Sequence, residues 1–375
     1  MRLFTALCFG CALATVLACG RTDRPVGYYS PELGQAGDSA AAGSAGAVNQ
    51  IQLPEGGTPL DLSKPWKSSG CGQPLPDGQF PTIVGSRAGF TGWQVDQVGA
   101  TLAADKPAFM DARQFYVRVP ADYDPNRPYR VVYLTRRACS LGVSDTSSYA
   151  LYDESLGGSE QAVYVDVAVP DEDTNPHCYD TGTGLDSIEY EAFDLIHTFV
   201  ESRYCVDNNR IFVAGSSQGG ALSNMWGCYF GGIPDPPRKF SPKWAIRGHA
   251  VLAGWREANQ PQPCNGPGAG IWIVENSDPE SGVYIDSDPS SLQLGLATNG
   301  CMGNFDEGPK QPWAPAANLA GLGGGVCQLY TGCSRQSQAD FPLVFCSPNG
   351  SGGTDRADLA IPAFTAFFDT MDPTP

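Results

Sequence analysis

Arg210-Ile211-Phe212-Val213-Ala214-Gly215-Ser216-Ser217-Gln218-Gly219-Gly220 is the stretch whose reading decides the fold of this chain. Its apolar half, Ile211 to Ala214, has the make-up of a buried strand, and Ala221-Leu222-Ser223-Asn224-Met225-Trp226 beyond it reads as a helix. Between them stands a G-x-S-x-G turn in strand–turn–helix context. The glycines two residues either side of Ser217 allow a sharp turn that lifts its hydroxyl off the end of the strand. The following helix aims its first N–H groups at the same point, which makes the Gln218 backbone amide a candidate donor to a developing oxyanion. Ser217 is therefore a candidate nucleophile toward an acyl carbonyl, and a serine in that role needs a base. The chain holds only three histidines, His177, His197 and His249.

With 375 residues there is length for one large α/β domain plus appendages. The balance of 23 basic and 40 acidic residues, net −17, argues against nucleic acid or an anionic membrane surface as a partner. Acidity of this kind keeps an exported protein soluble.

Residues 1–18 read as a signal peptide: Met1-Arg2, then an apolar run to Ala18 too short to span a bilayer. Cys19 directly follows Val16-Leu17-Ala18, a pattern resembling a bacterial lipobox, so cleavage before Cys19 and lipidation of its thiol are expected. An ordinary signal peptide with an incidental cysteine is the alternative. Gly20 offers no inner-membrane retention cue, so the outer membrane or cell surface is the expected location. Residues 19–60, rich in Gly, Ala, Ser and Pro, bury too little apolar surface to order themselves and read as a flexible tether. Residues 61–375 form the single folded domain, expected to be monomeric. Of the 13 cysteines, Cys71, Cys139, Cys178, Cys205, Cys228, Cys264, Cys301, Cys327, Cys333 and Cys346 remain in this domain, enough for up to five disulfides. None shows C-x-x-C spacing or a nearby histidine cluster, so neither a metal nor another cofactor is expected.

From residue 114 strands and helices alternate. Phe115 to Val119 alternates like an edge strand, while 130–134 and 162–169 are β-branched runs suited to a buried parallel sheet. Residues 186–204 carry a helical stripe, and 244–246 with 250–252, 271–274 and 343–345 supply later strands. A helix over 361–371 closes the chain with Pro362 in its first turn. This order indicates a mostly parallel, doubly wound α/β sheet.

Cys71-Gly72, Tyr129-Arg130-Val131-Val132, Cys178-Tyr179-Asp180, Asp186-Ser187-Ile188-Glu189-Tyr190, Tyr204-Cys205-Val206-Asp207, the turn at Ser217, Asn299-Gly300-Cys301 and Ile361-Pro362-Ala363-Phe364 together carry a resemblance. Over roughly residues 70–370 the chain resembles the exported α/β-hydrolases of the polyhydroxybutyrate depolymerase and feruloyl or acetylxylan esterase group. That resemblance implies the α/β-hydrolase fold and a Ser–Asp–His triad in chain order. It places the acid at Asp278, in Ile271-Trp272-Ile273-Val274-Glu275-Asn276-Ser277-Asp278 after a strand. It places the histidine in the loop before the terminal helix, where this chain has Thr354. A threonine hydroxyl cannot take the serine proton near neutral pH, and no histidine follows His249. The oxyanion loop after residue 134 is Thr135-Arg136-Arg137-Ala138-Cys139, without the glycines of the family, leaving the backbone amides of Arg137 or Ala138 beside that of Gln218.

Among the histidines, His249 reads as a packed strand residue and His197 as a residue of a helix surface. His177, in a loop at the carboxyl end of the 162–169 strand, is the one alternative base. Two readings stay open. One is an esterase or depolymerase acting on carboxylic esters of polysaccharide or on polyester, with impaired activity. The other is a pseudohydrolase serving as a surface binding module.

Overall fold

The computed structural model describes residues 62–78, 91–94, 113–135, 162–168, 179, 187–231, 244–254, 264–274, 291–323, 325–334, 340–348 and 357–371. The chain divides into units Met1–Gln52 and Leu53–Pro375, and all described residues belong to the second. Among them, ten strands form one sheet. These are β1 (Thr91–Gln94), β2 (Gln114–Arg118), β3 (Tyr129–Thr135), β4 (Ala162–Val167), β5 (Val206–Ser216), β6 (Ile246–Leu252), β7 (Ala269–Ile273), β8 (Lys310–Pro312), β9 (Cys327–Tyr330) and β10 (Leu343–Cys346). Their spatial order is β1-β2-β4-β3-β5-β6-β7-β10-β9-β8. The centre, from β4 to β10, pairs in parallel, and antiparallel strands close both margins.

Among the described residues the α-helices are α1 (Ile188–Arg203), α2 (Gln218–Tyr229), α3 (291–298) and α4 (Ala357–Asp369). Helix α1 starts where Ser187 Oγ accepts the Glu189 N–H at 3.2 Å, with Glu189 and Glu191 in the first turn and Arg203 in the last, matching the helix dipole at each end. Alternate strand residues point to opposite faces. Val131, Tyr133, Val163, Val165, Ile211 and Val213 pack with Phe193, Ile196, Leu222 and Trp226 from α1 and α2. Val132, Leu134, Phe212, Ala250 and Ile271 pack on the other face with Leu359, Phe364, Phe367 and Phe368 from α4. With helices on both faces, the domain is a doubly wound sheet of the α/β-hydrolase type, and the turn at Ser217, the elbow, joins β5 to α2.

Among the described residues four disulfides brace it: Cys71–Cys205, Cys228–Cys264, Cys301–Cys333 and Cys327–Cys346. Cys139 and Cys178 lie outside the described residues. Disulfides form and persist chiefly in oxidising compartments, in keeping with the expected export.

Several expectations are corrected. Strand β2 is not an edge: β1 pairs along it, and Phe115, Tyr116 and Val117 are all buried. The strand read from 244–246 with 250–252 is β6, which starts at Ile246 rather than Trp244 and runs unbroken to Leu252 between β5 and β7. Pro362 is not in a first turn, because α4 begins at Ala357 and holds it inside. Its missing N–H forfeits one interior hydrogen bond, a loss that the packing of Phe364, Phe367 and Phe368 outweighs. His197 is not on a helix surface but fully buried.

Candidate functional site

Strand β3 sends the chain to β4 on one side, and β5 lies on the other side of β3. Such a reversal opens a crevice beyond the carboxyl ends of the strands. Two chain ends meet there in register, Thr135 at the end of β3 opposite Gly215 near the end of β5. Ser217 follows directly, with φ 55° and ψ −125°. That conformation is rare for a residue with a side chain and costs on the order of 1–3 kcal/mol. It is held by bonds on both sides: the Ser217 N–H donates to Leu252 O at 2.9 Å, and Ser217 O accepts the Ala221 N–H at 3.0 Å to open α2. The side chain makes no capping bond to its own helix and is half-exposed.

The glycines provide clearance rather than the unusual dihedral. A Cβ at Gly215 would lie 2.1 Å from Thr135 Oγ1 and 2.2 Å from Gly219 O. A Cβ at Gly220 would lie 2.9 Å from the Gly254 Cα, so α2 sits directly on the chain beyond β6. The first turn of α2 therefore starts directly beside Ser217, with its free N–H groups at that end of the helix.

The Gln218 side chain is turned to a different task. It is buried, its Oε1 accepts the Tyr179 N–H at 3.1 Å, and its Nε2 donates to Tyr179 O at 3.2 Å. Tyr179 is itself tied to β4, its hydroxyl donating to Val167 O at 2.8 Å. Nothing in the spacing of positions 179 and 218 signalled this contact. The chain on from β4 is thus fastened to the elbow.

Neither described histidine serves Ser217. His197 lies in an aromatic cage of Phe193, Trp244 and Tyr133, with Nδ1 2.7 Å from the Tyr133 hydroxyl. Burial pushes its pKa down to about 3. Tyr133 pairs with Val213, four residues and roughly 13 Å of strand before Ser217. His249 packs under α2, where a Cβ at Gly227 would meet its ring at 2.5 Å, and edge-on to Trp272. Gly227 is ten residues past Ser217, about 15 Å along the helix. Burial lowers His249 to about 4. Both rings are neutral packing groups.

Asp278, Thr354, His177, Arg137, Ala138 and Cys19 lie outside the described residues. The loops that the resemblance assigns to acid and base leave from neighbouring strand ends. Strands β7 and β10 pair in parallel up to Ile273 and Cys346, and the Val274 N–H donates to Cys346 O at 3.0 Å. Among the described residues no group of three or more His, Cys, Asp or Glu is placed to hold a metal ion.

No family model matches the chain. In sequence it is 25% identical over 256 residues to a probable feruloyl esterase C of Aspergillus niger, covering 67% of this chain and 80% of that protein. It is 30% identical over 129 residues to feruloyl esterase D of Neurospora crassa, where the match spans only 31% of this chain and 41% of the relative. Among solved structures, an acetyl xylan esterase from Aspergillus awamori aligns over 75% of this chain and 99% of its own, with 12% identity and a TM-score of 0.49. An S-formylglutathione hydrolase from Staphylococcus aureus aligns over 78% and 98%, with 10% identity and a TM-score of 0.40. With its sheet order, its strained elbow serine and these sequence relatives, the chain is an esterase-like protein of the α/β-hydrolase type, related to feruloyl esterases.

Proposed function

We propose that this is an exported, lipid-anchored hydrolase of carboxylic esters, with Ser217 as nucleophile and a turnover lowered by Thr354 in the place of the base. The ester is carried by a polysaccharide or a polyhydroxyalkanoate-type polyester and lies in the crevice beyond β3 and β5. Asp278 is the acid of the triad. The amides of Gln218 and of Arg137 or Ala138 receive the oxyanion, and His177 is the remaining candidate for the proton. Lipidation at Cys19 and the 19–60 leash hold a monomeric domain clear of the outer membrane or cell surface.

The observation that carries this reading is the conformation of Ser217. A φ of 55° on a serine, held by bonds to Leu252 and Ala221, costs about 1–3 kcal/mol, and strain of this kind clusters at functional sites. The feruloyl esterase relatives support an ester substrate. A second reading, a pseudohydrolase that binds without turnover, is favoured by the distance and burial of His197 and His249.

Labelling of the purified mature domain with a fluorophosphonate separates the two. Stoichiometric labelling that is lost in Ser217→Ala is expected. Absence of labelling from mildly acidic to alkaline pH would leave the binding module. Residual hydrolysis alone would not decide, since sites lacking one triad member retain about 10³–10⁴-fold over water. A Cys19→Ser change is expected to release the protein from the membrane fraction.

A further inference from the structure

The hydroxyl of Thr135 is buried at the end of β3 and makes contacts in three directions. It stands 2.7 Å from Gly219 O, 3.1 Å from Ala214 O and 2.9 Å from Ser223 Oγ. A threonine hydroxyl has one proton and two lone pairs. The proton goes to Gly219 O, the closer carbonyl, with Ala214 O sharing it, and Ser223 donates into Thr135 Oγ1. The hydroxyl thus touches the strand entering the elbow, the first turn of the helix leaving it, and the next turn of that helix. The same oxygen fills the space that a Cβ at Gly215 would need, at 2.1 Å. The elbow is therefore built around this one atom, which belongs to neither of its arms.

We propose that Thr135 is a positioning residue for Ser217: by holding Gly219 O it fixes the first turn of α2, and with it the direction of the Gln218 amide and of the serine hydroxyl. Being the last residue of β3, it also sets where the chain enters the segment 136–138. Thr135 touches no reacting atom, and its effect on rate rests on the reading of Ser217 as nucleophile. Its effect on the elbow does not.

The test uses the mature domain with Thr135→Val, which keeps the shape and removes the hydroxyl, and Thr135→Ser, which keeps the hydroxyl. Two quantities are read: the saturable kinetics of fluorophosphonate labelling, and amide hydrogen exchange in residues 213–222 compared with 357–371. For Thr135→Val the maximal labelling rate is expected to fall about 10–100-fold, the effect of a small misplacement, with the reagent's apparent affinity within about twofold. Exchange should quicken in 213–222 and stay unchanged in 357–371, and Thr135→Ser should restore both. Labelling and exchange like the parent in Thr135→Val, faster exchange throughout the domain, or equal loss in the serine variant would each overturn the proposal. If the parent itself does not label, the esterase reading falls and exchange alone decides: quickening confined to 213–222 supports the positioning role, and any other pattern overturns it. If Thr135→Val does not fold, Thr135→Ala takes its place under the same criteria.

Discussion

Gln218 and Tyr179 clasp each other: the carboxamide of one accepts from the backbone N–H of the other and donates to its carbonyl, at 3.1 and 3.2 Å. The residue after Ser217 thus offers its main chain to the crevice while its side chain secures the segment that follows β4.

That division of labour makes Gln218 separable by mutation. Gln218→Met keeps the amide and removes both clasping bonds, leaving a buried N–H and C=O of Tyr179 without this partner. A loss of about 1–3 kcal/mol is expected, read as a lower urea midpoint at unchanged slope. Exchange of the Tyr179 amide should quicken at the same time. A Gln218→Met protein as stable as the parent would show the clasp to be incidental.

The disulfides differ in the loops they close. Cys71–Cys205 spans 134 residues and Cys327–Cys346 spans 19. In the chain-entropy account a bridge over a loop on the order of 100 residues contributes about 4–5 kcal/mol and one over about 15 residues about 3. The paired serine variant of Cys71 and Cys205 should therefore lower the denaturation midpoint more than that of Cys327 and Cys346. The reverse order would show that local packing outweighs loop closure here.

Arg113 and Glu189 form an ion pair whose side chains are both fully buried, joining the residue before β2 to the first turn of α1. Glu189 O also accepts the Trp226 indole N–H at 3.1 Å, which ties α1 to α2. Glu189→Ala removes the carboxylate from a buried guanidinium and should cost about 3–5 kcal/mol. Chemical denaturation of the variant checks this, and a loss under about 1 kcal/mol would place the pair among weak surface bridges.

Acid should destabilise the domain through its two buried imidazoles. Desolvation holds His197 at about 3 and His249 at about 4 in the folded state, against about 6.5 unfolded. Below pH about 6.5 the unfolded chain binds protons that the folded chain refuses. The stabilising contribution is thus complete above that pH and declines as pH falls toward 4 and then 3. The melting temperature should drop across that window, with a shallower slope in His197→Gln and in His249→Gln. Unchanged slopes in both would remove the imidazoles from the account.

The central elements were legible because their patterns are local. β3, β4, β5 and α1 are long apolar or periodic runs, and the elbow carries its own turn chemistry. Strands β1, β8 and β9 at the margins were not. β8 is Lys310-Gln311-Pro312, fully exposed and ending in proline, and it is a strand only because β9 pairs with it. His197 misled for a related reason: a polar residue beside an apolar stripe reads as surface, yet Trp244 and Tyr133 close over it from other elements. The site shows the same split. Ser217 and the Gln218 amide were readable from five consecutive residues, whereas Thr135 and Tyr179 act on the elbow from 82 and 38 residues away in the chain.

By itself the sequence determined that residues 210–229 make a strand, a strained turn and a helix with Ser217 at the apex, because the demands of that turn are met within a few neighbouring residues. Order along the chain, which folding does not alter, also puts His197 and His249 ahead of the loop where the resemblance expects the base. Only the tertiary structure decided which cysteines pair, that His197 is sealed in the core, and that one hydroxyl from β3 holds both arms of the elbow. Those outcomes depend on which surfaces meet when helices pack onto a sheet, and no stretch of chain carries that information alone.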